Sequence, residues 1–97
     1  GASAVVEKLA ERYAGYDALY LTLDIDVLDP AYVPGTGTPV SGGLDPISLA
    51  KILRGALTTL PVKAMDIVEV APPLDINDIT SWAALRVIHE ILSHFSR

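Results

Sequence analysis

Two hydrophobic periodicities alternate along the chain. The first is helical: Val5, Leu9 and Tyr13 recur at i, i+4 and i+8, with Glu7, Lys8, Glu11 and Arg12 on the other side. This spacing predicts a helix over 4–14, with Ser3 as its N-cap and Gly15 as its stop. Residues 17–26 then alternate as a strand does. Leu19, Leu21, Leu23 and Ile25 form one face; Ala18, Tyr20, Thr22, Asp24 and Asp26 form the other. One apolar face and one mostly apolar face suit a sheet covered on both sides. Asp45-Pro46 opens a second helix, as N-cap and first helical residue. It runs to about Leu57, with Leu49, Ile52, Leu53 and Leu57 inward. Residues 62–70 read as a second strand, ended by Pro72-Pro73. A last helix is expected from about Asp78 to Phe95, capped by Asn77 or Asp78. Its apolar face would be Ile88, Ile91, Leu92 and Phe95, with Trp82 in the core.

The order is helix, strand, helix, strand, helix, which argues for an α/β fold with parallel strands. A right-handed crossover would place both strands in one sheet. Two strands make a poor sheet, so at least one more is expected on each side. No repeat, low-complexity tract or linker divides residues 1–97, which read as one domain. Between the first strand and second helix lies a long loop with three Pro and four Gly. Such a loop in a compact domain is usually functional or disordered; Pro restriction and Gly close approach favour order here.

Composition narrows the class. The 97 residues are 51% hydrophobic, with a mean hydropathy of +0.40, which is oily for so small a domain. The excess fits strands buried on both faces, or a portion of a larger protein. The longest apolar run, Leu19 to Val27, already holds two Asp and is too short to span a bilayer. Gly1-Ala2-Ser3 leads straight into an amphipathic helix, so no signal peptide is expected. The absence of Cys removes disulfides and thiolate metal sites and fits the cytoplasm. A net charge of -5 with scattered Lys and Arg speaks against nucleic acid and anionic membranes as partners.

The candidate chemistry sits in Asp24-Ile25-Asp26, where two carboxylates close the first strand. Residues at i and i+2 of a strand project to the same side, and the C-terminal edge of a parallel sheet is where ligands bind. Two crowded carboxylates repel, and a bound divalent cation resolves that cost; Mn²⁺ or Mg²⁺ favours such oxygen ligands.

Leu23-Asp24-Ile25-Asp26-Val27-Leu28-Asp29-Pro30, Pro34-Gly35-Thr36-Gly37-Thr38-Pro39 and Gly42-Gly43-Leu44 together closely resemble a signature of the ureohydrolases, the arginase and agmatinase family. Asp66-Ile67-Val68-Glu69-Val70-Ala71-Pro72-Pro73-Leu74-Asp75 resembles the family's next block in order and spacing. The PGTGTP form looks more like agmatinase-type members than like animal arginase. The resemblance covers nearly the whole chain. It implies a three-layer α/β/α fold with a parallel sheet, and a binuclear Mn²⁺ site at the sheet's C-terminal edge. Asp24 matches the aspartate that bridges both metals, and Asp26 the one that binds a single metal. Glu69 matches the Glu that accepts hydrogen bonds from the substrate guanidinium, a role suited to a carboxylate facing a planar cationic fork. The plainer alternatives are loop capping for the two Asp and a structural ion pair for Glu69.

The other polar residues read as architecture. Asp66 sits mid-strand and is taken as structural. Thr36, Thr38, Gly42 and Gly43 shape the loop, with Thr38 the nearest to the metal edge. Asp29 before Pro30 is a turn-former. His89 and His94 resemble no family ligand and are read as surface or edge residues.

The chain also departs from the family. The Gly-Gly-Asp-His type and Asp-Ala-His-x-Asp motifs are absent, as is the His that serves as proton shuttle. Asp24 and Asp26 would supply two of the family's six protein ligands, too few to hold two metals alone. The expectation is therefore the C-terminal third of an agmatinase-like ureohydrolase. The complete enzyme, a homo-oligomer, would hydrolyse a small guanidino substrate to an amine and urea, and this portion alone would be inactive. A non-catalytic association module and a deacetylase-like metal hydrolase are the alternatives.

Overall fold

The computed structural model describes residues 1–96. Helix α1 spans Ala2–Arg12, β1 Leu19–Asp24, α2 Pro46–Thr59, β2 Val62–Val68 and α3 Ile79–Phe95. Short 3₁₀ turns occupy Ile25–Val27 and Pro72–Leu74. The order and type of the main elements are those the periodicities predict. The α1 boundary differs: Gly1 is the N-cap, and Ser3 lies inside the helix.

The strands pair in parallel, with Thr22 beside Asp66 and Asp24 beside Val68. Parallel pairing needs a crossover, and residues 25–61 with α2 supply it. α2 starts where its cap chemistry demands. The Asp45 carboxylate accepts from Ser48 N at 2.8 Å and from Ser48 Oγ at 2.9 Å, ahead of Pro46.

One sheet face is covered. Leu21 and Leu23 of β1 and Met65 and Ile67 of β2 pack toward Leu49 and Leu53 of α2 and Ala84 and Val87 of α3. Ile25, Leu28 and Val33 are fully buried and seal the carboxyl end of this core. Burying each of these aliphatic side chains stabilises by about 1.5–3 kcal/mol.

The opposite face of the sheet is bare. Tyr20 is 63% exposed, and Thr22, Ala64 and Val68 are exposed with it. On that face Tyr20 Oη and Thr22 Oγ1 each donate to the Asp66 carboxylate at 2.5 Å. These bonds hold the Asp66 carboxyl below its ordinary pKa, Thr22 contributing most. Tyr20's own hydrogen bond to Asp66, chiefly, raises the Tyr20 phenol. Asp66 is thus satisfied by its cross-strand neighbours, as the structural reading expects.

The last helix differs from expectation. Its buried positions are Thr80, Ala84 and Val87. Ile88, Leu92 and Phe95, expected inward, are exposed, and Trp82, expected in the core, is 66% exposed. The periodicity marked an apolar stripe correctly, but α2 and the sheet cover only the flank of small residues beside it. The described residues contain no third strand; the sheet is two-stranded.

Candidate functional site

Both strands end at one edge, because they run parallel and Asp24 stands opposite Val68. Asp24 is the last residue of β1. Its carboxylate Oδ1 then accepts from Asp26 N at 3.0 Å, capping the 3₁₀ turn Ile25–Val27. Asp26 therefore lies in that turn and not on the strand. The expected i, i+2 strand geometry is corrected: a tight turn, not strand pleat, gathers the two acids. Ile25, with no exposed surface, pins the turn to the core between them.

The loop behind them is ordered by its own hydrogen bonds. Thr38 Oγ1 donates to Asp26 Oδ2 at 3.0 Å, the approach anticipated for this residue. Asp29 accepts from Ala31 N at 2.9 Å, Gly42 N at 2.8 Å and Gly43 N at 3.2 Å. The bonds from Ala31 and Gly42 hold its carboxyl below the ordinary range. Asp29 is thus the turn-former expected, and it closes a loop of more than ten residues. Backbone bonds from Asp29 N to Leu44 O and from Leu44 N to Val27 O complete that closure, at 3.0 and 2.9 Å.

Glu69 follows β2 directly and not within it, since β2 ends at Val68. Its φ is 72°, the left-handed region that a non-glycine residue other than Asn or Asp seldom adopts. The side chain is exposed at the same edge as Asp24. Strained backbone of this kind concentrates at functional sites. No described Lys or Arg pairs with Asp24, Asp26 or Glu69. The edge is therefore acidic without internal compensation, an arrangement that attracts cations.

Sequence reasoning placed Asp75 at the end of the second motif block but gave it no role. Asp78, one of the two expected caps, is the N-cap of α3, but it and Asn77 have positive φ and its side chain makes no cap bond. Asp75 does the work instead, accepting from Ile76 N, Thr80 N and Ser81 N. Burial pushes its pKa up, but hydrogen bonds from Thr80, Ile76 and Ser81 outweigh this and the carboxyl stays below its ordinary value. The signal was present as an Asp five residues before a Thr, too wide a spacing for an ordinary cap box.

The histidines stay away from the edge. His89 is exposed beside Arg86 and Glu90, and the His94 ring meets Phe95 edge-on at 5.1 Å. Among the described residues no group of three or more His, Cys, Asp and Glu could hold a metal. Asp24 and Asp26 suit a hard cation as hydrogen-bonded carboxylates, but only as part of a ligand set.

The Arginase family profile matches residues 1–93. The chain belongs to the arginase family. Its relatives include the agmatinase of Neisseria meningitidis serogroup C, 52% identical over 87 residues. That match takes in 90% of this chain and 28% of the relative. Among solved structures, a hypothetical agmatinase from Burkholderia thailandensis superposes with a TM-score of 0.88 at 44% identity, over 98% of this chain and 30% of that one. The proclavaminate amidino hydrolase of Streptomyces clavuligerus gives a TM-score of 0.88 at 36% identity, over 98% of this chain and 31% of that one. This arginase-family chain thus spans under a third of the length of these relatives. The fold expectation, an arginase-like α/β segment with a parallel sheet, is borne out at this level.

Proposed function

We propose that this chain is the C-terminal share of an agmatinase-like, Mn²⁺-dependent ureohydrolase that converts a small guanidino compound to an amine and urea. The observation that carries this reading is the acidic edge. Asp24 and Asp26 are gathered by one turn, and Glu69 is held in a strained conformation at the same end of the sheet. Agmatinases among the relatives support the substrate class.

In this reading Asp24 and Asp26 would supply two of the ligands of a two-metal site, with the other four ligands outside these residues. Two bound cations would lower the pKa of a shared water and supply a nucleophile at neutral pH. Thr38 keeps Asp26 Oδ2 oriented. Glu69 accepts from the guanidinium and presents its carbon to the metal edge, a positioning effect that charge-assisted hydrogen bonds provide. The exposed stripe of Ile88, Leu92 and Phe95 and the bare sheet face are where the remaining layers of the complete enzyme pack. The complete enzyme is a cytoplasmic homo-oligomer on this reading.

The test is urea release by the full-length protein with Mn²⁺, offered agmatine, arginine and an acetylated amine separately. Urea from a guanidino compound is the expected result. Acetate release without urea would transfer the protein to the deacetylase-like alternative.

A further inference from the structure

Beyond β2 lies a buried knot that the chemistry above does not use. Thr80, with no exposed surface, accepts from Gly35 N through Oγ1 at 2.7 Å. Gly35 O in turn accepts from Ala71 N at 2.8 Å. Asp75 seats Thr80 by accepting from its backbone N at 2.9 Å. A Cβ on Gly35 would lie 2.7 Å from the Asp75 Cβ and Cγ, so loop backbone and Asp75 are in direct contact. Three segments separated in sequence therefore meet at one point: the 34–38 loop, the turn after Glu69, and the first turn of α3.

The two ends of this knot reach the two halves of the proposed site. Three residues beyond Gly35, Thr38 bonds Asp26. Two residues before Ala71 stands Glu69, whose left-handed backbone persists only if its surroundings over-determine it. The Ala71–Gly35 bond is a tether on that turn, and Thr80 holds Gly35 in place to make it.

We propose that Thr80 is a positioning residue, seated by Asp75, that locks the 34–38 loop to the Glu69–Ala71 turn and so sets the spacing between Glu69 and the Asp24–Asp26 edge. Its effect on substrate rests on the Glu69 role proposed above; the mechanical coupling does not. Thr80→Val keeps the shape but leaves the Gly35 N–H buried without its acceptor, the costly way to lose a hydrogen bond. Thr80→Ser restores the acceptor.

The experiment compares the full-length parent, Thr80→Val and Thr80→Ser by amide hydrogen exchange and by agmatine kinetics. In the parent, the Gly35 and Ala71 amides exchange as slowly as those of the α3 interior. In Thr80→Val, exchange over 33–38 and 68–73 rises roughly tenfold or more, and KM for agmatine rises roughly tenfold while kcat falls less. Thr80→Ser returns both toward the parent. Faster exchange confined to α3, or Gly35 and Ala71 amides that are unprotected in the parent, would overturn the coupling. The parent measurement stands even if Thr80→Val fails to fold. A variant with lowered melting temperature but KM within twofold of the parent would reduce Thr80 to an ordinary core residue. A parent that hydrolyses no guanidino compound would sink the functional reading, and the exchange data would still decide the coupling.

Discussion

Gly43→Ala tests whether the long loop is built as described. A Cβ at Gly43 would stand 2.5 Å from Asp29 N, 2.7 Å from Leu28 C and 2.9 Å from Asp29 Cα. Ordinary contacts between heavy atoms lie near 3.5–4.0 Å, so the two backbones must part by about 1 Å. All three obstacles are main chain and cannot rotate away. Parting them strains the Asp29 N–Leu44 O and Leu44 N–Val27 O bonds that close the loop. Two such bonds contribute about 1–3 kcal/mol, and overpacking adds a similar amount. The expected loss is about 2–6 kcal/mol, a large share of the stability of a typical native protein. In the full-length protein, several-fold longer than this chain to judge by its relatives, that lowers the melting temperature by at least roughly 4 °C. Gly37→Ala, six residues earlier in the same loop, meets nothing within 4 Å and should shift stability by about 0.5 kcal/mol or less. The assay is thermal denaturation of both variants beside the parent, followed by circular dichroism. If the two variants melted together, the loop would not close against Leu28 and Asp29, and the placement of Thr38 on Asp26 would fall with it.

Glu69→Gln in the full-length enzyme should raise KM for agmatine about 10- to 100-fold, because a charge-assisted pair becomes a neutral one; an unchanged KM would remove Glu69 from the substrate. The isolated 97-residue chain with Mn²⁺ should release no urea above the uncatalysed rate, and urea from that purified chain would contradict the ligand count. Stability should depend on pH at both ends. Asp29, Asp45, Asp66 and Asp75 all have depressed pKa values, so their contribution is present above the unfolded value of 3.8 and is lost as pH falls through the folded values. Tyr20 has a raised pKa, so its contribution is present below the unfolded value of 10.0 and is lost as pH rises through the folded one. Urea midpoints measured across pH 2–11 should therefore show a plateau with losses at the acid and alkaline ends; a midpoint that rose on acidification below pH 4 would contradict the hydrogen bonds assigned to these groups.

The fold was legible where local chemistry decides it. Asp45-Pro46 announces a helix start, and the alternation from Leu19 to Leu23 announces a strand with one buried face. It was less legible where tertiary contacts decide. Ile25 continues the strand's alternation, yet the chain turns there because Asp24 accepts from the Asp26 N–H and Ile25 is fully buried. Trp82 and Leu92 stay largely exposed because the core reaches α3 only at Thr80, Ala84 and Val87, so how much of its apolar surface is covered could not be read from spacing. The acids of the edge were visible through their flanking motif. The structural role of Asp75 and Thr80 was not, because their meeting with Gly35 joins residues about 40 positions apart, and no local pattern encodes such a contact.

The backbone at Glu69 sets a residue against its own conformation. A left-handed φ costs a side chain with a Cβ about 1–2 kcal/mol that glycine would not incur. Folding alone thus favours glycine here, and on the proposed reading the use of the carboxylate opposes the replacement. On that reading, position 69 would record whether the carboxylate is in use. Lineages that still need the carboxylate keep an acid in an uncomfortable place, and lineages released from that need are free to drift there toward glycine or asparagine. Among sequences sharing this fold, the residue at this single turn would separate working descendants from retired ones.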